Sequence, residues 1–588
     1  LGRTSNIGGS GASDLDRVQN SFEYIDDLTI TRGRHSIKTG FNFRRLHANG
    51  TNGVRRPGAF TLGGIDDLLL GNPGRLETQL PGSDSFRGYR QWIIGLYLQD
   101  DFQFRPNLTL NLGLRYEIAT VLDEVNGKNS NIINPYSPTA VSEQVDQYYN
   151  NPSLNNFGPR LGIAWDVFGD GKTAVRAGGG LFFDQFTPKI IFSSGWSGRP
   201  FLSRININPA PFPRGFELQD QTALLTQTEE GPIQQDFTNA YLMQYNLSIQ
   251  QQINNNTSVE IGYVGSLGRH LTRIQLLNMN ASIFCPCPDD LNTSFDESSV
   301  AAGTKYFPPF PAGQSNTKPN QLVNQMAMKS FDTNSSFNAL QISVRRRFTD
   351  GFQFQFAYTY SKHLSVSAGQ NGGSSGGLTT TMDPTNAGQD KGLSSFDVKN
   401  NLSANYTYDL PFMADRGGLV GGFLGGWQLG GIITLADGHP ELVNMGRSFG
   451  FQPSRSGGFT GADGNTDRPS LVPGRTFGQL KDWDPDTGIY DASALRKNEA
   501  GFFGDLPNNA GSFAGIAQFD MSLVKHTRVG ENAEVQFRAE FFNIFNRTNF
   551  GLPSRQAFRS SGPDSNFGRI SSTQTTNRQI QFGLKISF

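Results

Sequence analysis

The stretch Asn577 to Phe588 reads NRQIQFGLKISF. Ile580, Phe582, Leu584, Ile586 and Phe588 point one way, while Gln579, Gln581, Gly583, Lys585 and Ser587 point the other, because strand side chains alternate faces with period two. The segment offers one unbroken apolar face and one polar face. The same pattern recurs outward from it. Asn107 to Ala119 sets Leu108, Leu110, Leu112, Leu114, Tyr116 and Ile118 against Thr109, Asn111, Arg115 and Glu117. Gly351 to Ser361 sets Phe352, Phe354, Phe356, Tyr358 and Tyr360 against Gln353, Gln355 and Thr359. No comparable run shows helical periodicity. A soluble sheet uses alternation too, but its repetition along almost the whole chain is how a lipid-facing exterior and a watery lumen are written in a transmembrane β-barrel.

Alternation places fifteen strands, at 22–31, 35–46, 91–104, 107–119, 157–168, 172–185, 239–252, 256–267, 334–348, 351–363, 397–410, 425–437, 517–528, 531–545 and 577–588. Short connections fall at Arg32-Gly33, Arg105-Pro106, Gly169 to Gly171, Asn254-Asn255, Thr349-Asp350, a Gly-rich turn before Trp427, and Val529-Gly530. Long ones fall at 47–90, 120–156, 186–238, 268–333, 364–396, 438–516 and 546–576. Short and long take turns, as the short periplasmic turns and long extracellular loops of an outer-membrane barrel do. Structureless loops of this length count against an assignment unless they are functional loops on a rigid scaffold. The expected fold is thus all-β, an antiparallel transmembrane β-barrel with long extracellular loops.

Composition agrees. Hydrophobic residues make up 36% of 588, with 69 Gly and 47 Phe, so apolar content sits in aromatics and helix is disfavoured. The formal net charge of -1 gives no basic field for nucleic acid. Leu1 to Ser21 has no apolar signal-peptide core. Gly417 to Ala436 is uncharged and about long enough to span a bilayer as a helix, but eight of its twenty residues are Gly, and it reads as a turn followed by a Gly-rich strand. Bacterial barrels have even strand numbers with both ends in the periplasm. A final strand ending there makes strand 22–31 descend from outside, so an odd number of strands is expected to precede it, and residues 1–588 are expected to be a carboxy-terminal barrel portion.

Six stretches carry a family resemblance: LYLQDDFQFRPNLTLNLGLRYE (Leu96 to Glu117), FGPRLGIAWDVFGDGKTAVRAGGGLFFD (Phe157 to Asp184), FNALQISVRRRFTDGFQFQFAYTYSKHL (Phe337 to Leu364), GGWQLGGI (Gly425 to Ile432), RAEFFNIFNRTNFG (Arg538 to Gly551) and the terminal strand. In this order and spacing they resemble the TonB-dependent outer-membrane receptors, in particular the Oar-like group that carries a carboxypeptidase-regulatory-like amino-terminal domain. The resemblance covers about Tyr24 to Phe588. It implies a barrel of about 22 strands, a plug domain and an energy-coupling box near the amino-terminus, of which this sequence holds about fifteen strands and neither the plug nor the box. It also implies energy-coupled uptake of a ligand captured by the extracellular loops, with the TonB complex engaging through the amino-terminal region. The terminal strand resembles the signal read by the outer-membrane barrel-assembly machinery, which assigns that role to Phe582, Leu584, Ile586 and Phe588. The ligand stays open among siderophore, oligosaccharide, peptide and cobalamin. An alternative is an outer-membrane structural or adhesion barrel without active transport, and another is a secreted all-β binding protein.

Catalytic constellations are absent from the sequence. His35, His47, His270, His363, His439 and His526 are scattered with no metal-ligand spacing, so an enzyme is not expected. Cys285 and Cys287 form a C-P-C-P run without further ligands nearby, which reads as a local disulfide or two thiols rather than zinc. Asp463 to Asp467 opens like a calcium loop, but Gly474 stands where its bidentate Glu belongs. No cofactor or metal is expected. Gly178 to Gly180 lie within a strand, where they relieve crowding rather than cradle phosphate. Trp92, Trp165, Tyr241, Tyr358, Tyr360, Tyr406, Tyr408 and Trp427 sit on apolar faces, where interfacial girdles belong. Tyr148, Tyr149, Phe201, Phe212 and Phe307 either stack on a ligand or pack the loops together. Arg115, Arg176, Arg345, Arg538 and Lys585 are expected to face the lumen, where charge is cheap.

Overall fold

The structure, a computed structural model, describes residues 15–52, 56, 58–186, 198–207, 210, 212–213, 226–228, 231–277, 283–284, 305–306, 320, 322–323, 326–366, 381, 386–412, 418–444, 468–484, 488–496, 504–512, 514–529, 533–559 and 562–588. Fifteen long strands form the wall: β1 (Leu15–Arg32), β2 (His35–Asn52), β3 (Phe86–Arg105), β4 (Leu108–Ala119), β5 (Phe157–Asp166), β6 (Thr173–Phe183), β7 (Tyr241–Asn254), β8 (Thr257–Leu277), β9 (Met326–Thr349), β10 (Phe352–Ser365), β11 (Asn400–Asp409), β12 (Trp427–Ala436), β13 (Ile516–Val529), β14 (Ala533–Phe542) and β15 (Gln579–Ser587). Each pairs antiparallel with the next in sequence. All fifteen strands read from alternation are present. Among the described residues the outer edges of β1 and β15 are not paired with each other.

Register carries one apolar face across the wall. Leu110 stands opposite Ile163, and the row continues through Ala177, Leu247, Tyr263 and Leu340 to Tyr360. It enters at the third residue of β4 and leaves at the ninth of β10. The row climbs about one residue, ~3.3 Å, for each ~4.8 Å step between strands, a tilt of roughly 35°. That is the tilt a closed membrane barrel needs. Ile580, Phe582, Leu584 and Ile586 join the same face through Phe541, Ala539, Phe537 and Val535. Among the described residues, no helix is long and apolar enough to cross a membrane, so strands do the crossing.

Two strand glycines answer to close approach. Gly265 stands opposite Tyr245, and a Cβ there would lie 2.3 Å from the ring; Gly431 stands opposite Tyr406, where it would lie 2.5 Å away. Each tyrosine lies flat over its cross-strand glycine on the outward face, covering backbone that lipid cannot solvate.

The short ends turn tightly. Asp350 and Gly351, at φ 53° and 75°, are the left-handed pair of a two-residue hairpin. The connection before Trp427 departs from the expected turn by holding a short helix, Gly418–Leu424, whose Phe423 carbonyl accepts the Trp427 indole N–H at 3.2 Å. Gly-rich sequence tolerates one such helix where its last carbonyls find donors; Lys525 Nζ meets the Gly425 carbonyl at 2.6 Å.

The long connections are not structureless, contrary to expectation. Ala59–Thr61, Arg75–Gln79, Arg204–Ile207 and Thr226–Thr228 pair into a four-stranded sheet drawn from two different connections. Part of the expected loop 268–333 is wall: β8 and β9 run on through Leu277 and Met326, paired beyond a break in register at Gly268 to Leu271.

Candidate functional site

Four buried clusters knit the connections into a crown at the long-loop end. Tyr89, Leu122, Tyr148, Tyr149, Phe186 and Phe331 belong to the first, drawn from four separate chain segments. Tyr89 and Tyr148 meet hydroxyl to hydroxyl at 3.0 Å. Asn131 donates to the carbonyls of Tyr148 and Ile233 at 2.9 Å each and accepts the Ile233 N–H at 3.0 Å. A second cluster, with Tyr490 stacked on Phe567 at 5.1 Å, fastens the last two long connections together. Arg468 and Asp390 form a buried ion pair nearby. Burial pushes the Tyr148 hydroxyl up to about 12.

The loop aromatics thus resolve toward packing. Tyr148 and Tyr149 are buried at 0% and 3% exposure. Phe201 lies under the Arg87 guanidinium at 5.2 Å, and Phe212 meets the Phe60 ring edge at 5.1 Å. Phe307 lies outside the described residues, as do Cys285, Cys287 and the stretch Asp463 to Asp467.

Below the crown the inward face is polar. Arg115 holds Glu117 at 2.7 Å, Arg176 meets Gln250 at 2.9 Å and Asn111 donates to Asp101 at 2.6 Å. Arg538 sits 3.4 Å from Glu540, with Lys585 on the same face opposite Gln536, and Arg345 opposite Gln355. All five expected lumenal cations stand on the polar face. Outward, Trp92, Tyr241, Tyr358 and Tyr360 ring the long-loop end, and Trp165, Tyr408 and Trp427 the short-turn end. Tyr406 lies between them. One polar side chain in the outward band is answered there: Asn338 Oδ1 accepts from Tyr263 at 2.7 Å and Tyr245 at 3.1 Å.

A cavity of about 660 Å³ opens at the rim, where Tyr360, Lys362, Asp397, Lys399, Asp437 and Asn509 converge. Lys362 and Lys399 are exposed. Asp397 is buried, accepts the His363 backbone N–H at 2.6 Å, and has its carboxyl pushed above the usual range by burial. Sequence reading placed Tyr360 in an interfacial girdle and missed the others, because the cavity joins a strand end to a connection more than a hundred residues away. Phe582, Leu584, Ile586 and Phe588, expected from the sequence to be an assembly signal, are exposed along the outward face at the edge of the wall, with Phe582 stacked on Phe537 at 6.1 Å.

An outward apolar band with aromatic rims, an inward polar wall and a loop crown define an outer-membrane β-barrel. Residues 2–581 match the family described as outer membrane beta barrel domain, and the chain belongs to that family. No curated protein matches the chain. Among solved structures it is similar to the outer membrane transporter YddB from Escherichia coli, at 10% identity and a TM-score of 0.45 over 97% of this chain and 54% of that one. It is also similar to the pyoverdine outer membrane receptor FpvA from Pseudomonas aeruginosa PAO1, at 10% identity and 0.43, covering 99% and 56%. The ferric-catecholate import receptor Fiu from E. coli K12 stands at 11% and 0.42, covering 97% and 55%. The chain spans about half the length of these structures.

Proposed function

We propose that this chain is the barrel wall of a TonB-dependent receptor of the Oar-like group, which takes up a ligand captured by the loop crown. The carrying observation is the crown itself: loops from separate connections share buried cores directly above a charged, polar inward wall. A purely structural barrel gives no reason for a wall rich in paired charges. The ordered motifs from Leu96 to the terminal strand support the Oar-like assignment. In this reading the edges of β1 and β15, unpaired among the described residues, are where further strands complete the barrel, and a plug and coupling box act through the amino-terminal region. The outward residues of β15 are read by the assembly machinery.

The test is growth. A strain lacking the gene, compared with its parent across single limiting nutrients, should lose growth on one nutrient class, and inactivating the TonB complex should reproduce that loss. Normal growth on every nutrient with reduced surface attachment would favour the structural or adhesion barrel instead.

A further inference from the structure

Arg87 lies near the long-loop end of β3 on the same inward face as Tyr89 and Gln91, and it is 0% exposed. One nitrogen is anchored: Nη1 donates to the carbonyls of Asp84 at 2.9 Å and Phe86 at 2.7 Å. The plane stacks on Phe201. The other edge is different, since Nε and Nη2 are buried and reach no acceptor among the described residues.

The neighbouring carboxylates Asp84 and Glu124 are already committed. Asp84 is held by Lys128 and by the Phe86 N–H at 2.9 Å. Glu124 accepts three backbone N–H groups, from Gly88, Asn126 and Lys128, at 2.8 to 2.9 Å. A buried guanidinium edge with no acceptor is expensive, because both donors have lost water and gained nothing.

Nε and Nη2 form the side-on fork of arginine, whose spacing matches the two oxygens of a carboxylate. The same protein shows this edge in use. Arg273 binds Asp332 through Nε at 2.7 Å and Nη2 at 2.8 Å. We infer that Arg87 is a carboxylate-binding residue of the crown, its fork receiving a carboxylate group of the captured ligand.

This deepens the uptake reading and rests on it for the source of the ligand. Because the guanidinium is covered by Phe201, capture requires the Phe201 segment to part from it, and the gain from satisfying the fork biases the crown toward the state that admits ligand.

The test uses the full-length protein in detergent, with citrate as probe and titration calorimetry as readout, against phosphate and chloride at matched ionic strength. Citrate should bind saturably at one site, and phosphate and chloride at least tenfold more weakly. Arg87→Lys, which keeps the charge and loses the fork, should weaken citrate at least tenfold, and Arg87→Gln should abolish it. Arg176→Gln, lower on the wall, should leave binding unchanged, and heat-modifiable migration should confirm that each variant has folded. Absence of citrate binding to the parent protein would overturn the proposal. Unchanged binding in Arg87→Gln would overturn it as well, as would equal binding of all three anions. The measurement needs no TonB and no transport, so it fails or succeeds apart from the growth test of uptake.

Discussion

Leu112 stands directly opposite Asp100 across the β3–β4 ladder, both on the outward face, and Asp100 in turn holds His35 at 2.7 Å. A carboxylate–histidine pair belongs at a rim, not against lipid tails, so the apolar band begins above Leu112. An arginine at Leu112 would meet Asp100 and be partly rescued. Leu247 is the better probe, since it is the seventh of fourteen residues in β7 and its outward neighbours are Ala177 and Tyr263. Asn246, beside it, faces inward. Leu247→Arg should cost about 2 to 4 kcal/mol of barrel stability in reversible unfolding from lipid, and Asn246→Arg little. Equal penalties would remove the assigned register.

Sidedness is checked with trypsin on intact cells. Cleavage should fall within 186–238 or 438–516, which contain Arg214, Arg447 and Arg455. Lys172, in the short connection between β5 and β6, has a side chain 59% exposed and should nevertheless be spared until the membrane is opened. Cutting at Lys172 alone would invert the barrel.

The wall was legible in the sequence because each strand carries its own signal: Phe352, Phe354 and Phe356 alternate with Gln353 and Gln355 whatever lies elsewhere. The continuation of β8 was not, because the register break at Gly268 to Leu271, with His270 at φ 54°, resets the alternation. Beyond it Arg273 and Gln275 are buried by loops, so polarity stops reporting exposure. The crown was illegible for another reason. Leu76 packs with Ile205, in paired strands of five and four residues that lie more than a hundred residues apart, and no local period encodes such pairing. Arg87 reads as an ordinary polar strand-end residue, and only the cover from Phe201 makes it a buried cation.

Assembly should depend on one face of β15. Phe588→Ala, or deletion of Phe588, in the full-length protein should sharply lower heat-modifiable barrel in the outer membrane. Gln581→Ala, on the inward face opposite Glu540, should not. Normal barrel levels in the Phe588 variants would remove the role proposed for Phe582, Leu584, Ile586 and Phe588.

Asp397 sets a pH dependence at the rim cavity. Its carboxyl is raised above its ordinary 3.8 by burial, against the opposing pull of the His363 backbone N–H and of His363, Lys362 and His439. A carboxyl with a higher pKa folded than unfolded binds its proton more tightly in the folded state. Its contribution to stability is therefore fully present below 3.8 and is lost as pH rises through the folded value. Asp397→Asn keeps an oxygen to accept the His363 N–H while removing the charge. The variant should melt higher than the parent at pH 7, and the gap between their melting curves should close as pH falls toward 4. Histidine titration is common to both proteins and so drops out of the difference to first order. A gap that widens on acidification, or a variant less stable at pH 7, would mean that the ionised carboxylate is held by Lys362, His363 and His439 rather than penalised by burial.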